Sequence, residues 1–214
     1  MQSSIEFKSA NGPPGLASTH PLNEDAAMIT LRTPCEGLLE AKGSRFIATV
    51  APIEQFDELL SASRVAHAKA NHQVIAWRHV NEMGQLQELA KDDGEPTGTA
   101  GRPILQVLRG REWVQVGALV VRYFGGIKLG TGGLARAYAG AVGEALNNAT
   151  PTPWLPEVQA TLRAPFDTSA TLEREVNGAE GVRILERHFA SDGVHLRIAG
   201  PRPHIEALRE RYGA

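Results

Sequence analysis

The tetrapeptide Ala118-Leu119-Val120-Val121 is apolar at every position. Side chains alternate between the two faces of a strand, so a strand of this composition needs cover on both sides. The surrounding residues, Trp113 to Phe124, read as that strand. It runs into a glycine-rich loop, Gly125 to Gly133, and then a helix over Leu134–Asn147. Leu134, Tyr138, Ala141, Val142 and Ala145 line one side of that helix, and Thr131 stands where an N-cap is expected. A doubly covered strand with a packing helix commits this region to layers of sheet and helix.

The rest of the chain extends the mixed pattern. Leu38 to Ile53 reads as extended chain, Ile53 to Ala70 as a helix with Phe56, Leu59, Leu60 and Ser63 along its stripe, and His72 to Val80 as a strand. Asn81 to Thr97 is a long polar stretch, and Pro103 to Leu108 a short helix. Residues 1–33 hold Asn11-Gly12-Pro13-Pro14-Gly15 and no periodicity. They read as a flexible extension with one short strand at Met28–Leu31. Pro151, Pro153 and Pro156 mark a semi-rigid linker. The expected organisation is therefore 1–33 extension, 34–150 first domain and 157–214 second domain. The second domain reads strand (Val158–Arg163), helix (Thr168–Asn177), strand (Val182–Phe189), strand (Val194–Ala199), helix (Pro203–Arg211), with Asp192-Gly193 at a hairpin turn. The fold class is α+β.

Several classes of protein are excluded or disfavoured. No apolar run approaches the roughly 20 residues that span a bilayer, and Met1 to Ala10 lacks the pattern of a secretory signal. Cys35 is the lone cysteine, which allows no internal disulfide and suits a reducing cytoplasm. The formal net charge of −2 argues against a generic polyanion binder. Its distribution does not: residues 101–140 carry Arg102, Arg109, Arg111, Arg122, Lys128 and Arg136 against only Glu112. A local field of this sign attracts phosphate or nucleic acid.

Three strings stand out chemically. In Asp92-Asp93-Gly94-Glu95-Pro96-Thr97-Gly98-Thr99-Ala100-Gly101, clustered carboxylates precede small residues and a helix. Oxygens of this kind suit Mg²⁺ at Asp92, Asp93 and Glu95. The plainer alternative is a solvated turn with Thr99 capping the helix. The tightly specified backbone is also expected to leave N–H groups free at the helix start. In Arg122-Tyr123-Phe124-Gly125-Gly126-Ile127-Lys128-Leu129-Gly130-Thr131-Gly132-Gly133, a strand enters a glycine loop before a helix N-terminus. That is an anion cradle or a device for close packing, and it fits neither the Walker A nor the Rossmann spacing. Lys42-Gly43-Ser44-Arg45-Phe46 places two cations and a hydroxyl before a strand. The histidines show no zinc spacing, and no nucleophile elbow or His-Glu-x-x-His motif is present.

Together, Lys42 to Ile47, Asp92 to Leu105 and Val120 to Tyr138 resemble the YigZ/IMPACT family in order and spacing. The resemblance covers about residues 35–214. It implies a first domain with the fold of domain two of ribosomal protein S-five, as in elongation factor G domain IV. It implies a second, ferredoxin-like domain, as in elongation factor G domain V, here one strand short because the chain stops at Ala214. Carried over position by position, the family surface comprises Lys42, Ser44, Arg45, Asp92, Asp93, Glu95, Thr99, Arg122, Tyr123, Gly125, Gly126 and Gly133.

The eukaryotic relative acts in translational control. The expected function is a non-enzymatic, cytoplasmic binding protein linked to translation, taking RNA, the ribosome or a phosphate-bearing ligand. Arg45, Arg122 and Arg136 would meet phosphate. An enzyme acting on a phosphorylated or nucleotide-like substrate, or a protein-interaction module, is the alternative. The three motifs are expected to converge on one surface that carries Arg45 and Arg122 together.

Overall fold

A computed structural model describes residues 18–21, 28–81 and 84–213. By backbone contacts the chain divides into two compact units, Met1–Pro153 and Trp154–Ala214.

The first unit is built on β1 (Ser18–Pro21), β2 (Ile29–Thr30), β3 (Cys35–Ala41), β4 (Ser44–Pro52), β5 (His72–Val80), β6 (Gln85–Lys91), β7 (Val116–Tyr123) and β8 (Thr152–Pro153). Its helices are α1 (Ile53–Ala66), α2 (Gly101–Gly110) and α3 (Thr131–Asn147). Six strands form one antiparallel sheet in the order β1-β6-β5-β7-β4-β3, while β2 pairs with β8.

Strand parity sorts the core. Phe46, Ala48 and Val50, with Val74 and Ala76 and with Val116, Ala118 and Val120, face α2 and α3. Leu119 and Val121 face α1, where Ile53, Phe56 and Trp77 cover them. The doubly apolar β7 is thus roofed on both sides, which is why no polar position interrupts it.

Four expectations about local structure are corrected. Leu38–Ile53 is a hairpin of β3 and β4 rather than one run. It is closed by Lys42 and Gly43, both with positive φ. The polar stretch after Asn81 contains β6, which the sequence pattern hid because a core-facing position is Glu88. Glu88 is 2% exposed and pairs with Arg78 (Nε–Oε1, 2.8 Å) and Arg109, so a charge stands where alternation predicts an apolar residue. Thr131 is the first residue of α3, and Gly130 (φ 72°) takes the cap position. Residues 18–21 form a sheet strand and Met28 and Leu31 are buried, so this much of the expected extension belongs to the fold. The remainder, 1–17 and 22–27, lies outside the described residues.

The second unit holds β9 (Glu157–Ala164), α4 (Ser169–Gly178), β10 (Arg183–Ala190), β11 (Gly193–Pro201) and α5 (Arg202–Tyr212). The sheet order is β10-β11-β9, antiparallel throughout. Leu162, Leu196 and Ile198 meet Leu172, Val176, Ile205 and Leu208 from the helices. Among the described residues this is the βαββα part of the ferredoxin-like layout. A single antiparallel bridge, Leu162 to Gly213, stands beside β9.

Candidate functional site

The three motifs come together at one end of the six-stranded sheet. Lys42 and Gly43 (φ 46° and 77°) make the two-residue turn between Ala41 and Ser44, the type whose twist matches the strands it joins. Ser44 is fully buried, and its Oγ accepts the Gly125 N–H at 3.1 Å. At Gly125 a Cβ would lie 1.9 Å from the Gly43 carbonyl carbon, so only glycine permits this contact between segments some eighty residues apart. The adjacent Phe124 N–H donates to Asn71 Oδ1 (2.8 Å), and the Asn71 N–H donates to the Arg122 carbonyl (2.9 Å). The root of the glycine loop is therefore pinned by β4 on one side and by the segment entering β5 on the other. Gly126 and Gly130 both have positive φ. Gly133 sits in the first turn of α3, against Leu129.

The carboxylates do not form a cluster. Asp92 accepts the N–H groups of Gly98 (2.7 Å), Ala100 (3.1 Å) and Gly101 (2.8 Å). The expectation of free N–H groups at the start of α2 is thus corrected: the chain supplies its own anion there. Thr99 does not cap the helix, since its Oγ1 donates to the Pro96 carbonyl at 2.6 Å. Asp93 (φ 47°) accepts the Gln73 N–H at 2.6 Å, and its carbonyl lies 2.8 Å from His72 Nδ1.

Glu95 turns inward instead. Its side chain is 3% exposed, and Oε1 accepts Arg122 Nη1 at 2.5 Å and the Tyr138 hydroxyl at 2.7 Å, with His72 Nε2 at 3.8 Å. Burial, then the Glu95 carboxylate, pushes the Tyr138 hydroxyl far above its ordinary range, so it remains a donor. Both Asp92 oxygens, Asp93 Oδ2 and Glu95 Oε1 are engaged by the protein's own donors, the last of them by a cation. Among the described residues no group of three or more His, Cys, Asp or Glu is placed to share a metal ion. The residues do not fit Mg²⁺.

Register separates the two arginines expected together. Arg122 stands opposite Phe46, and Arg45 opposite Tyr123. Residues directly paired across strands share a face, so Arg122 lies on the α3 side and Arg45 on the α1 side. The expectation of one surface carrying both is overturned. Arg122 is 6% exposed and its guanidinium lies over the rings of Phe46 (5.4 Å) and Phe124 (5.6 Å). Arg45 is exposed and pairs with Glu40 at 3.4 Å. Tyr123 faces α1, its hydroxyl 2.9 Å from His67 Nδ1. The motifs converge in space, but their charged members divide into a buried lock and an exposed rim.

The rim holds what can meet a partner. Lys42, Lys128 and Arg136 are exposed and have no ion pair among the described residues. The first turn of α3 carries no acidic residue and no side-chain cap. Residues 113–143 contain no Asp or Glu. The buried Tyr138, the half-buried His72 and the exposed Asn71 were not legible as site residues. The one signal for Tyr138 was a hydroxyl standing in an otherwise apolar helical stripe.

An antiparallel sheet between one helix and two, with a charge-locked glycine loop at its end, defines a class of small two-domain α/β protein. Residues 42–146 match the Impact N-terminal domain. The chain is 36% identical over 165 residues to the IMPACT family member YigZ of Escherichia coli K12, covering 76% of this chain and 80% of that protein. It is 40% identical over 155 residues to an IMPACT family member of Thermus thermophilus, covering 72% and 78%. A crystal structure of a hypothetical protein superposes with a TM-score of 0.66 at 32% identity, covering 86% of this chain and 90% of that one. The chain belongs to the IMPACT family.

Proposed function

We propose that this protein is a non-enzymatic binding and regulatory protein linked to translation, and that it engages RNA or the ribosome through the rim at the end of its six-stranded sheet. The observation that carries the reading is the lock between Gly43 and Gly125. It holds the Lys42 turn beside the loop that bears Lys128, and α3 with its exposed Arg136 follows that loop directly. Cations carried on a backbone that is already fixed, and without an ion pair among the described residues, save the cost of ordering the loop on binding and suit a phosphate backbone. Of the carboxylates that would repel such a partner, Glu95 is buried against Arg122 and Asp92 is engaged by the N–H groups at the start of α2, which leaves Asp93 as the exposed one. The link to translation rests on membership of the family and on the factor-like pair of domains. A cytoplasmic setting fits the lone cysteine, Cys35, whose thiol is buried and raised by that burial.

The test is co-sedimentation with ribosomes and with ribosomal RNA at low and near-physiological salt. The variant is Lys42→Ala/Lys128→Ala/Arg136→Ala. Arg122 is left intact because its loss would unsettle the fold. Wild-type pelleting that weakens with salt and disappears in the variant supports the reading. Equal pelleting of both proteins refutes it, and association that resists salt and nuclease points to a protein partner instead.

A further inference from the structure

The charged rim also carries exposed apolar side chains. Phe124 is 46% exposed and Ile127 58% exposed, in the same loop as Lys128. An aromatic ring left in water on a mobile loop would need no explanation. Here the loop root is pinned at two consecutive residues, by Asn71 and by Ser44. The ring itself is backed by the Arg122 guanidinium, which sits between Phe46 and Phe124 and is held by Glu95. The stack Phe46–Arg122–Phe124 starts in the core and ends at solvent. Its last member lies over a fixed cation on one side and is partly open to water.

We propose that Phe124 is a stacking platform for an unpaired base of a single-stranded nucleic acid, whose phosphates run along Lys128, Arg136 and Lys42. The proposal rests on the binding reading given above and specifies the ligand. Every base has an apolar face, so an aromatic ring among cations accepts any sequence in single-stranded form. A paired and stacked base cannot offer that face. The guanidinium behind the ring adds a favourable cation–π contact and keeps the ring from turning inward. Parity excludes Arg45 from this site, because it lies on the α1 side.

The experiment is fluorescence anisotropy with a short unstructured RNA, its DNA counterpart and the same RNA annealed to its complement. The proteins are wild type, Phe124→Ala, Phe124→Tyr and Lys128→Ala/Arg136→Ala, each checked for an unchanged melting temperature. Phe124→Ala is expected to weaken single-strand binding about 5- to 150-fold, with duplex binding and the salt slope unaltered. Phe124→Tyr, which keeps the ring, restores binding. The cation variant lowers the salt slope by about 0.7 for each phosphate it no longer neutralises. The RNA and DNA arms tell which strand is preferred. Undiminished binding by Phe124→Ala alongside weakened binding by the cation variant overturns the platform and leaves the binding reading standing. Failure of wild type to bind any of the three ligands overturns the platform, and absence of ribosome pelleting as well overturns the binding reading.

Discussion

Glu95→Gln tests the buried lock directly. The substitution keeps the shape of the side chain and removes its charge. Arg122 is left with a side chain 7% exposed and no counter-ion, beside an Nε that is already buried without a partner. Breaking a buried pair from one side costs about 3–5 kcal/mol, because the remaining charge is uncompensated. With a urea slope of about 2 kcal/mol per molar, the unfolding midpoint should fall by about 1.5–2.5 M. Trp113, 3% exposed within the first unit, reports this transition by fluorescence in a Trp154→Phe background that silences the second unit. The control is Glu95→Gln/Arg122→Met. Replacing both charges with neutral groups removes the uncompensated ion, so the double variant should regain at least about 2 kcal/mol over Glu95→Gln alone. A cost below about 1 kcal/mol for Glu95→Gln, the range of exposed ion pairs, would refute the claim that Arg122 is a locked structural charge. It would also reopen Arg122 as a phosphate contact.

Burial alone would raise the Glu88 carboxyl, but the hydrogen bonds and charges of Arg109 and Arg78 hold it below its ordinary value of 4.5. Its contribution is thus present above pH 4.5 and is lost as pH falls through the lower folded value. Melting temperatures from neutral to acid pH should fall more steeply for wild type than for Glu88→Gln, and identical acid slopes would contradict the assignment. Gly125→Ala must push the Gly43 carbonyl carbon away from 1.9 Å. It should release the turn and speed hydrogen exchange at residues 42–46 and 124–126. Gly126→Ala meets nothing within 4 Å but has φ 87°, so it should cost only about 1–2 kcal/mol, without that local opening. Asp92→Ala removes the acceptor for three N–H groups at the start of α2 and should destabilise by about 2 kcal/mol, the upper range for a helix cap. An effect below about 0.5 kcal/mol in urea titration would show that water replaces the carboxylate without penalty.

Much of this molecule was legible before any coordinates. The apolar run of β7, the glycine loop, the stripe of α3 and the βαββα order of the second unit are local patterns. Each is set by the periodicity of one segment and by backbone preferences that need no partner. That the three motifs meet was an expectation, and the contacts of Ser44 with Gly125 and of Glu95 with Arg122 are what bring them together.

The roles of the charged residues were decided by tertiary structure. Strand β6 escaped notice because Glu88 faces the core, and a charge at a core position makes sense only once Arg78 and Arg109 close on it from β5 and α2. Asp92, Asp93 and Glu95 are neighbours in sequence, yet they serve a helix start, a strand N–H and an arginine 27 residues further on. The faces of Arg45 and Arg122 depended on register. In a strand that is apolar on both sides, alternation carries no information about which side a polar residue at its end will take. Only pairing with Phe46 put Arg122 on the side of Glu95 and Tyr138. Periodicity is a property of one segment. The pairing of opposite charges is a property of two, and the distance between them is known only when the chain has folded.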